Sequence, residues 1–177
     1  MAEIIIFIFS GIFIGIAAGL FGLGGGLMIV PVVTYCLVYF SYTPFDQAII
    51  IGVSTSLASM VITGAMAAYA HSKNNNVDHA IIKIFLPGLI IGSLIIGFFI
   101  ESIPGDFLKY FFIFYAFVIA YKLFKHQEAL KKSTFPNRLL SNMISFVFSI
   151  ISGIVGIGGA TLFVPFLIKN NIPPKLA

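Results

Sequence analysis

Charge is what this sequence has least of. Its 10 Lys+Arg and 6 Asp+Glu residues make up 9% of 177 positions, against roughly 25% in an ordinary soluble domain. So few charges cannot cover the surface of a soluble fold, whereas a lipid-facing surface requires none. The apolar runs are much longer than the roughly 10 residues of a barrel strand and lack its two-residue alternation, so the spans are helical. Cysteine is nearly absent as well. Cys36 alone excludes an intrachain disulfide and a cysteine metal site of the usual spacing, and it reads as a small packing residue. No Ser/His/Asp or His/Glu constellation falls inside an apolar run, so no catalytic residue, no metal ligand, no cofactor and no enzyme activity is expected. His71, His79 and His126 lie in polar stretches and read as solvated. The net charge of +4 comes with no basic, aromatic-interleaved face, and nucleic acid is not a partner. The first apolar run has only Glu3 as an early charge, where a signal peptide needs basic residues, so it reads as a retained span.

What is present is an all-α, polytopic membrane protein. The first apolar block, Ile4 to Phe40, is interrupted by Gly22-Leu23-Gly24-Gly25-Gly26 and reads as a helix, a glycine break and a short helix from about Leu27. After the turn at Ser41 to Pro44, a span runs to about Ala70, with Asp46 in its first turn. A carboxylate there suits the positive end of the helix dipole, the alternative being an ion or proton site. His71 to His79 is expected to be a solvated loop. Spans over Ala80 to Ile100 and Phe107 to Tyr121 flank an acidic turn at Glu101 to Asp106. Between Lys122 and Arg138, five basic residues face a single Glu128, which assigns this loop to the cytoplasm of a plasma (inner) membrane protein.

A second apolar block, Leu139 to Ile168, repeats the first. At a shift of 134 residues, Gly11 to Pro31 lies over Ser145 to Pro165 with seven of 21 positions identical, four of them glycines and one a proline. The expectation is therefore two glycine-broken helices from an internal repeat. Gly11, Gly15 and Gly19 form a ridge whose counterparts Ser145, Ser149 and Gly153 are also small, a pattern that lets membrane helices approach closely.

Non-helical backbone at membrane depth is tolerated only where protein or a polar cavity supplies hydrogen-bond partners. The helix starts near Leu27 and Ala160 offer free N–H groups and the positive end of a dipole, which favours an anion. This matters because the embedded segments hold no Arg, and Lys83, Lys109, Lys122 and Lys169 lie at span ends. The other polar concentration is Ser54, Thr55, Ser56, Ser59 and Thr63. Of these, Ser56, Ser59 and Thr63 share a helix face with Gly52, either lining a cavity or bonding within and between helices.

The string from Gly19 to Pro31, followed by Pro44 to Ala48 and Ser54-Thr55-Ser56, and repeated from Gly153 to Pro165, resembles the TauE/SafE family of sulfite and organosulfonate exporters. The resemblance covers nearly the whole chain. It implies a secondary transporter moving a small anion, built from two related halves that each open with this motif. Carried over residue by residue, Gly22, Gly24, Gly25, Pro31, Gly156, Gly158, Gly159 and Pro165 fall on the motif, with Ala160 replacing the glycine that matches Gly26; together with Gly26, Ser54, Thr55 and Ser56 they are the candidates for the substrate path. The expected organisation is a first repeat over 1–125, a cytoplasmic basic loop over 126–138 and the start of a second repeat over 139–177. Nothing here corresponds to Ile49 through Lys125, so the chain reads as C-terminally truncated, and in a protein of 177 residues the cavity could not close within one chain, so that transport would require a homo-oligomer or be absent. If the first block is one interrupted span, the repeats are parallel; if it is a hairpin, they are inverted. The rival reading is a non-transporting membrane remnant or assembly subunit in which the glycines serve packing alone.

Overall fold

The computed structural model describes residues 2–21, 25–74, 78–124 and 137–170. The elements are α1 (Ala2–Phe21), α2 (Gly26–Tyr39), α3 (Phe45–Lys73), α4 (His79–Phe99), α5 (Gly105–Phe124), α6 (Arg138–Val155) and α7 (Ala160–Lys169). A single 3-10 turn, Ile100–Ser102, links α4 towards α5. Among the described residues the fold is all-helical, and three helical stretches are long and apolar enough to cross a membrane: Phe45–Lys73, His79–Ser102 and Arg138–Val155. The outward surface fits lipid. Phe98 is 82% exposed, Leu139 75% and Phe13 72%, values that water would penalise at about 25 cal/mol for each Å² of apolar area.

Two helix pairs fold back on themselves. Glu3 in the first turn of α1 accepts a hydrogen bond from the Tyr42 hydroxyl just past α2, so the start of one helix lies beside the end of the next. That bond keeps the proton on the phenol and holds the Tyr42 pKa above its ordinary value. In the second pair, Phe148 of α6 meets Phe163 and Phe166 of α7 edge to face at 5.2 and 5.7 Å, so α7 returns along α6. Gly156, with a φ of 69°, ends α6 in the left-handed conformation that glycine adopts without strain. Aromatic residues gather near the α2–α3 turn: Tyr35 stacks on Tyr39, and Lys109 at the start of α5 lies 4.9 Å from the centre of the Phe45 ring. Amphipathic rings and a cation at one end of several helices suit a membrane interface.

The most extensive helix contact joins α4 and α6. Its seam is made of small residues. A side chain at Gly88 would collide with the Ser145 hydroxyl and come within 3.0 Å of the Phe146 nitrogen. One at Gly92 would meet the Ser149 Cβ at 2.8 Å, and one at Gly153 would collide with the Ile96 side chain. The Ser149 hydroxyl donates to the Leu89 carbonyl at 3.0 Å across the same seam. In lipid, where no water is expelled between helices, this dense packing is what holds the pair. The next contact, between α2 and α3, has the same basis: Gly52 of α3 lies against Thr34 and the Val30 carbonyl of α2.

One expectation needs correction. His71 to Lys73 belong to α3 and are helical, so the polar stretch begins as helix, and the next helix restarts at His79 with Asp78 accepting from the Ala80 amide at 2.8 Å. Helix formation requires only paired backbone groups, not an apolar sequence. Consequently α3 outruns the bundle, and every residue from 61 to 74 is exposed. Replacing Gly88 with Leu is expected to force α4 off α6 at a cost of about 1–3 kcal/mol, read as a lowered unfolding midpoint in detergent, while Gly64→Leu, at a position with open space around it, leaves the midpoint unchanged.

Candidate functional site

The segment between α6 and α7 is held by polar contacts from three directions. Ser56 of α3 is fully buried and donates its hydroxyl to the Gly156 carbonyl at 2.6 Å. Ser152 donates to the Ile157 carbonyl, closing the turn from within. Tyr115 of α5 and Thr161 in the first turn of α7 share a hydrogen bond of 2.7 Å. Around these bonds the packing is apolar and complete: Val155 and Ile157 have no exposed surface. At 1.5 Å per residue, Ser56 lies about 16 Å into α3, near the middle of a hydrocarbon layer about 30 Å thick. Without that hydroxyl the Gly156 carbonyl is an unpaired acceptor in an apolar interior.

The start of α2 meets the same turn. A side chain at Gly26 would run into the Gly156 carbonyl and lie 2.7 Å from the Ile157 Cα. The positive end of α2 therefore faces a carbonyl oxygen, which answers its dipole internally. Met60 of α3 covers both glycine segments, its Cε 2.7 Å from a Cβ placed on Gly26 and its Sδ 3.1 Å from one placed on Gly158.

The start of α7 is placed differently. It borders a cavity of about 330 Å³ whose wall includes Gly158, Gly159, Ser93, Ser149, Ser152 and Gly97. Among the described residues no charged side chain is in that wall. The three hydroxyls give their protons to main-chain carbonyls, Ser93 to Ile90 at 3.0 Å, Ser149 to Leu89 and Ser152 to Ile157. Towards the cavity they are left as acceptors. Among the described residues nothing accepts from the Gly158 and Gly159 amides, and both residues border this space at the start of α7, where main-chain N–H groups are free.

The sequence-derived candidates are thus divided by the fold. Gly26, Ser56 and Gly156 converge at one contact, and Gly158 and Gly159 line the cavity. Gly25 precedes α2, and Pro31 and Pro165 lie inside α2 and α7. Ser54 and Thr55 are exposed on other faces of α3 and do not reach the turn. Gly22 and Gly24 lie outside the described residues, as do His126 and most of the basic loop. Ser59 and Thr63 bond back to the carbonyls of Ser56 and Ser59 in their own helix. Asp46 is exposed in the first turn of α3, and Cys36 is buried within α2. No motif marks Ser93, Gly97 or Met60 in the sequence. Among the described residues, no three His, Cys, Asp or Glu side chains come together to hold a metal ion.

The chain is similar to known proteins over nearly its full length. The family profile described as "Sulfite exporter TauE/SafE" matches residues 7–177. A probable membrane transporter protein of Haemophilus influenzae is 32% identical over 178 residues, covering 98% of this chain and 66% of the relative. Another, of Methanocaldococcus jannaschii, is 28% identical over 176 residues, covering 96% of this chain and 63% of the relative. A Bacillus subtilis relative, also named a probable membrane transporter protein, is 26% identical over 198 residues, 99% of this chain and 71% of its own length. The chain therefore spans a little under two thirds of the first two relatives. No solved structure matches it.

Truncating Ser56 to Ala is expected to cost about 1–3 kcal/mol of stability by orphaning the Gly156 carbonyl, while Thr55→Ala, at an exposed position, stays within about 0.5 kcal/mol. Equilibrium unfolding of the two variants side by side in detergent checks the ordering. Gly156→Ala, which imposes left-handed backbone on a residue with a Cβ, is expected to cost about 1–2 kcal/mol in the same assay.

Proposed function

Because this chain belongs to the sulfite exporter TauE/SafE family of multi-pass membrane transporters, we propose that it carries a small anion, a sulfite or organosulfonate or a similar sulfur or carboxylate anion, past the α6–α7 turn. The observation that carries this reading is the cavity itself. Gly158 and Gly159 at the start of α7, whose amides have no partner among the described residues, line it, and its hydroxyls are already committed to carbonyls. A helix start supplies about half a positive charge without a cation. An anion is thereby stabilised where a lysine or arginine would be expensive to bury.

On this reading the substrate path runs along Gly22, Gly24, Gly25, Gly26, Pro31, Ser56, Gly156, Gly158, Gly159 and Pro165, with the exposed Ser54 and Thr55 as its least supported members. Residues 1–125 act as one half and 139–177 as the opening of a second, related to the first by the 134-residue shift. The fold-back of α1 on α2 favours the inverted arrangement of those halves, with the loop 122–138 cytoplasmic. Transport then proceeds by rocking one half against the other around the glycine turns. The sulfur chemistry of the substrate rests on the family description alone.

Gly97 provides the test, since it lines the cavity and a Cβ there would meet nothing within 4 Å. Gly97→Leu adds bulk at the cavity wall from a Cβ position that meets no neighbour. In proteoliposomes of the purified protein, sulfite or organosulfonate flux is expected to fall about tenfold or more, equivalent to about 1.4 kcal/mol in the barrier, at an unchanged unfolding midpoint. Anion flux in the parent protein no greater than in empty vesicles would overturn the reading.

A further inference from the structure

Apart from its glycines and serines, the cavity beside α7 is walled by Leu57, Leu89, Ile96, Ile100 and Phe163. On α4 and the residue that follows it, the lining positions run from Leu89 through Ser93, Ile96 and Gly97 to Ile100, every three or four residues, and so form one stripe. Its ends are about 16 Å apart at 1.5 Å per residue. Ile96 and Ile100 are buried, whereas Ser93 and Gly97 are exposed, so among the described residues the stripe has a closed side and an open one. Helices α4 and α6 step together, Gly88 with Ser145, Gly92 with Ser149 and Ile96 with Gly153. The turn that follows α6 is therefore level with the Ile96 and Ile100 end of the stripe. Leu89 lies towards the other end, where Phe163 packs edge to face on Phe85 at 5.8 Å.

A bare inorganic anion does not match this space. At about 30 Å³ for each water-sized group, a cavity of about 330 Å³ takes about eleven non-hydrogen atoms, and a sulfite ion fills about a third of that. The aliphatic walls would then face water or nothing, which forfeits the contacts and the apolar burial they offer. The volume belongs instead to the range, about 300–1,000 Å³, of sites for organic small molecules. We propose that the cavity selects an organic anion with an unbranched apolar tail of about six carbons, its charged end beside Gly158 and Gly159 and its tail along Ile96, Leu57 and Phe163 towards Leu89. The proposal rests on the reading of the cavity as an anion site and adds the tail to it. The serine hydroxyls do not oppose a tail, because their protons are already given to main-chain carbonyls and no donor is left unpaired when an apolar group covers them.

The experiment measures equilibrium binding of unbranched alkane-1-sulfonates, from methyl to octyl, to the purified full-length protein in lipid nanodiscs, with binding to protein-free nanodiscs subtracted. Binding is expected to tighten about fourfold for each added methylene, the factor that about 0.8 kcal/mol per buried CH₂ corresponds to, and to level off near hexyl. Gly97→Val, which adds bulk at the open side of the stripe, is expected to move the levelling point about two carbons shorter. A levelling point that stays at hexyl in this variant puts the tail outside the cavity and overturns the inference. A series that is flat with chain length, alongside sulfite flux in proteoliposomes, also overturns it and leaves the anion reading standing. 1-Hexanol binding as tightly as hexane-1-sulfonate would make the cavity a pocket for lipid tails, and would overturn the inference together with the anion reading beneath it.

Discussion

The arrangement depends on one constraint: a main-chain carbonyl in an apolar interior needs a donor, and losing it costs more than most packing contacts give. Gly156 leaves α6 in a left-handed turn and presents such a carbonyl. Ser56 supplies the donor, 100 residues away in sequence, and the start of α2 closes over the same oxygen at Gly26. Three helices are thereby fixed to one atom. Because Ser56 is near the middle of α3, the turn is fixed at depth, and the direction of α7 follows from it.

Small residues make this contact possible at both seams. Between α4 and α6, and between α2 and α3, glycines let backbones approach until side chains such as Ser149 and Thr34 lie against the opposite main chain. A larger residue at Gly52 would move α3 off α2 and take Ser56 away from the turn it serves. The polar contact and the close packing are therefore one device.

Much of the helix layout was legible because apolar runs and glycine clusters report directly on burial and breaks. The ends of α1, α2, α4 and α5 lie within a few residues of the expected positions. His71 to Lys73 was not legible, since a polar composition says nothing about whether backbone pairing continues. The glycine segments flanking α2 and α7 were visible, yet their contact was not, because it joins residues 130 apart through the packing of α3. Ser54, Thr55 and Ser56 looked like a single cluster in the sequence. Successive residues point about 100° apart on a helix, and only Ser56 faces inward. Gly88 and Gly92 carried the signal that identifies the partner of the α6 ridge, four residues apart in an apolar run.

The cavity's hydroxyls are spent on carbonyls, and its remaining donors belong to the peptide backbone. An N–H group at position 158 or 159 survives every substitution except proline. On the proposed reading, mutation can therefore reshape the walls, at Leu57, Leu89 or Phe163, while the preference for an anion stays constant. On the reading proposed above, such a site would keep its charge preference while its size varied, so that descendants of one ancestral chain could diverge in cargo without rebuilding the feature that distinguishes an anion from a neutral molecule.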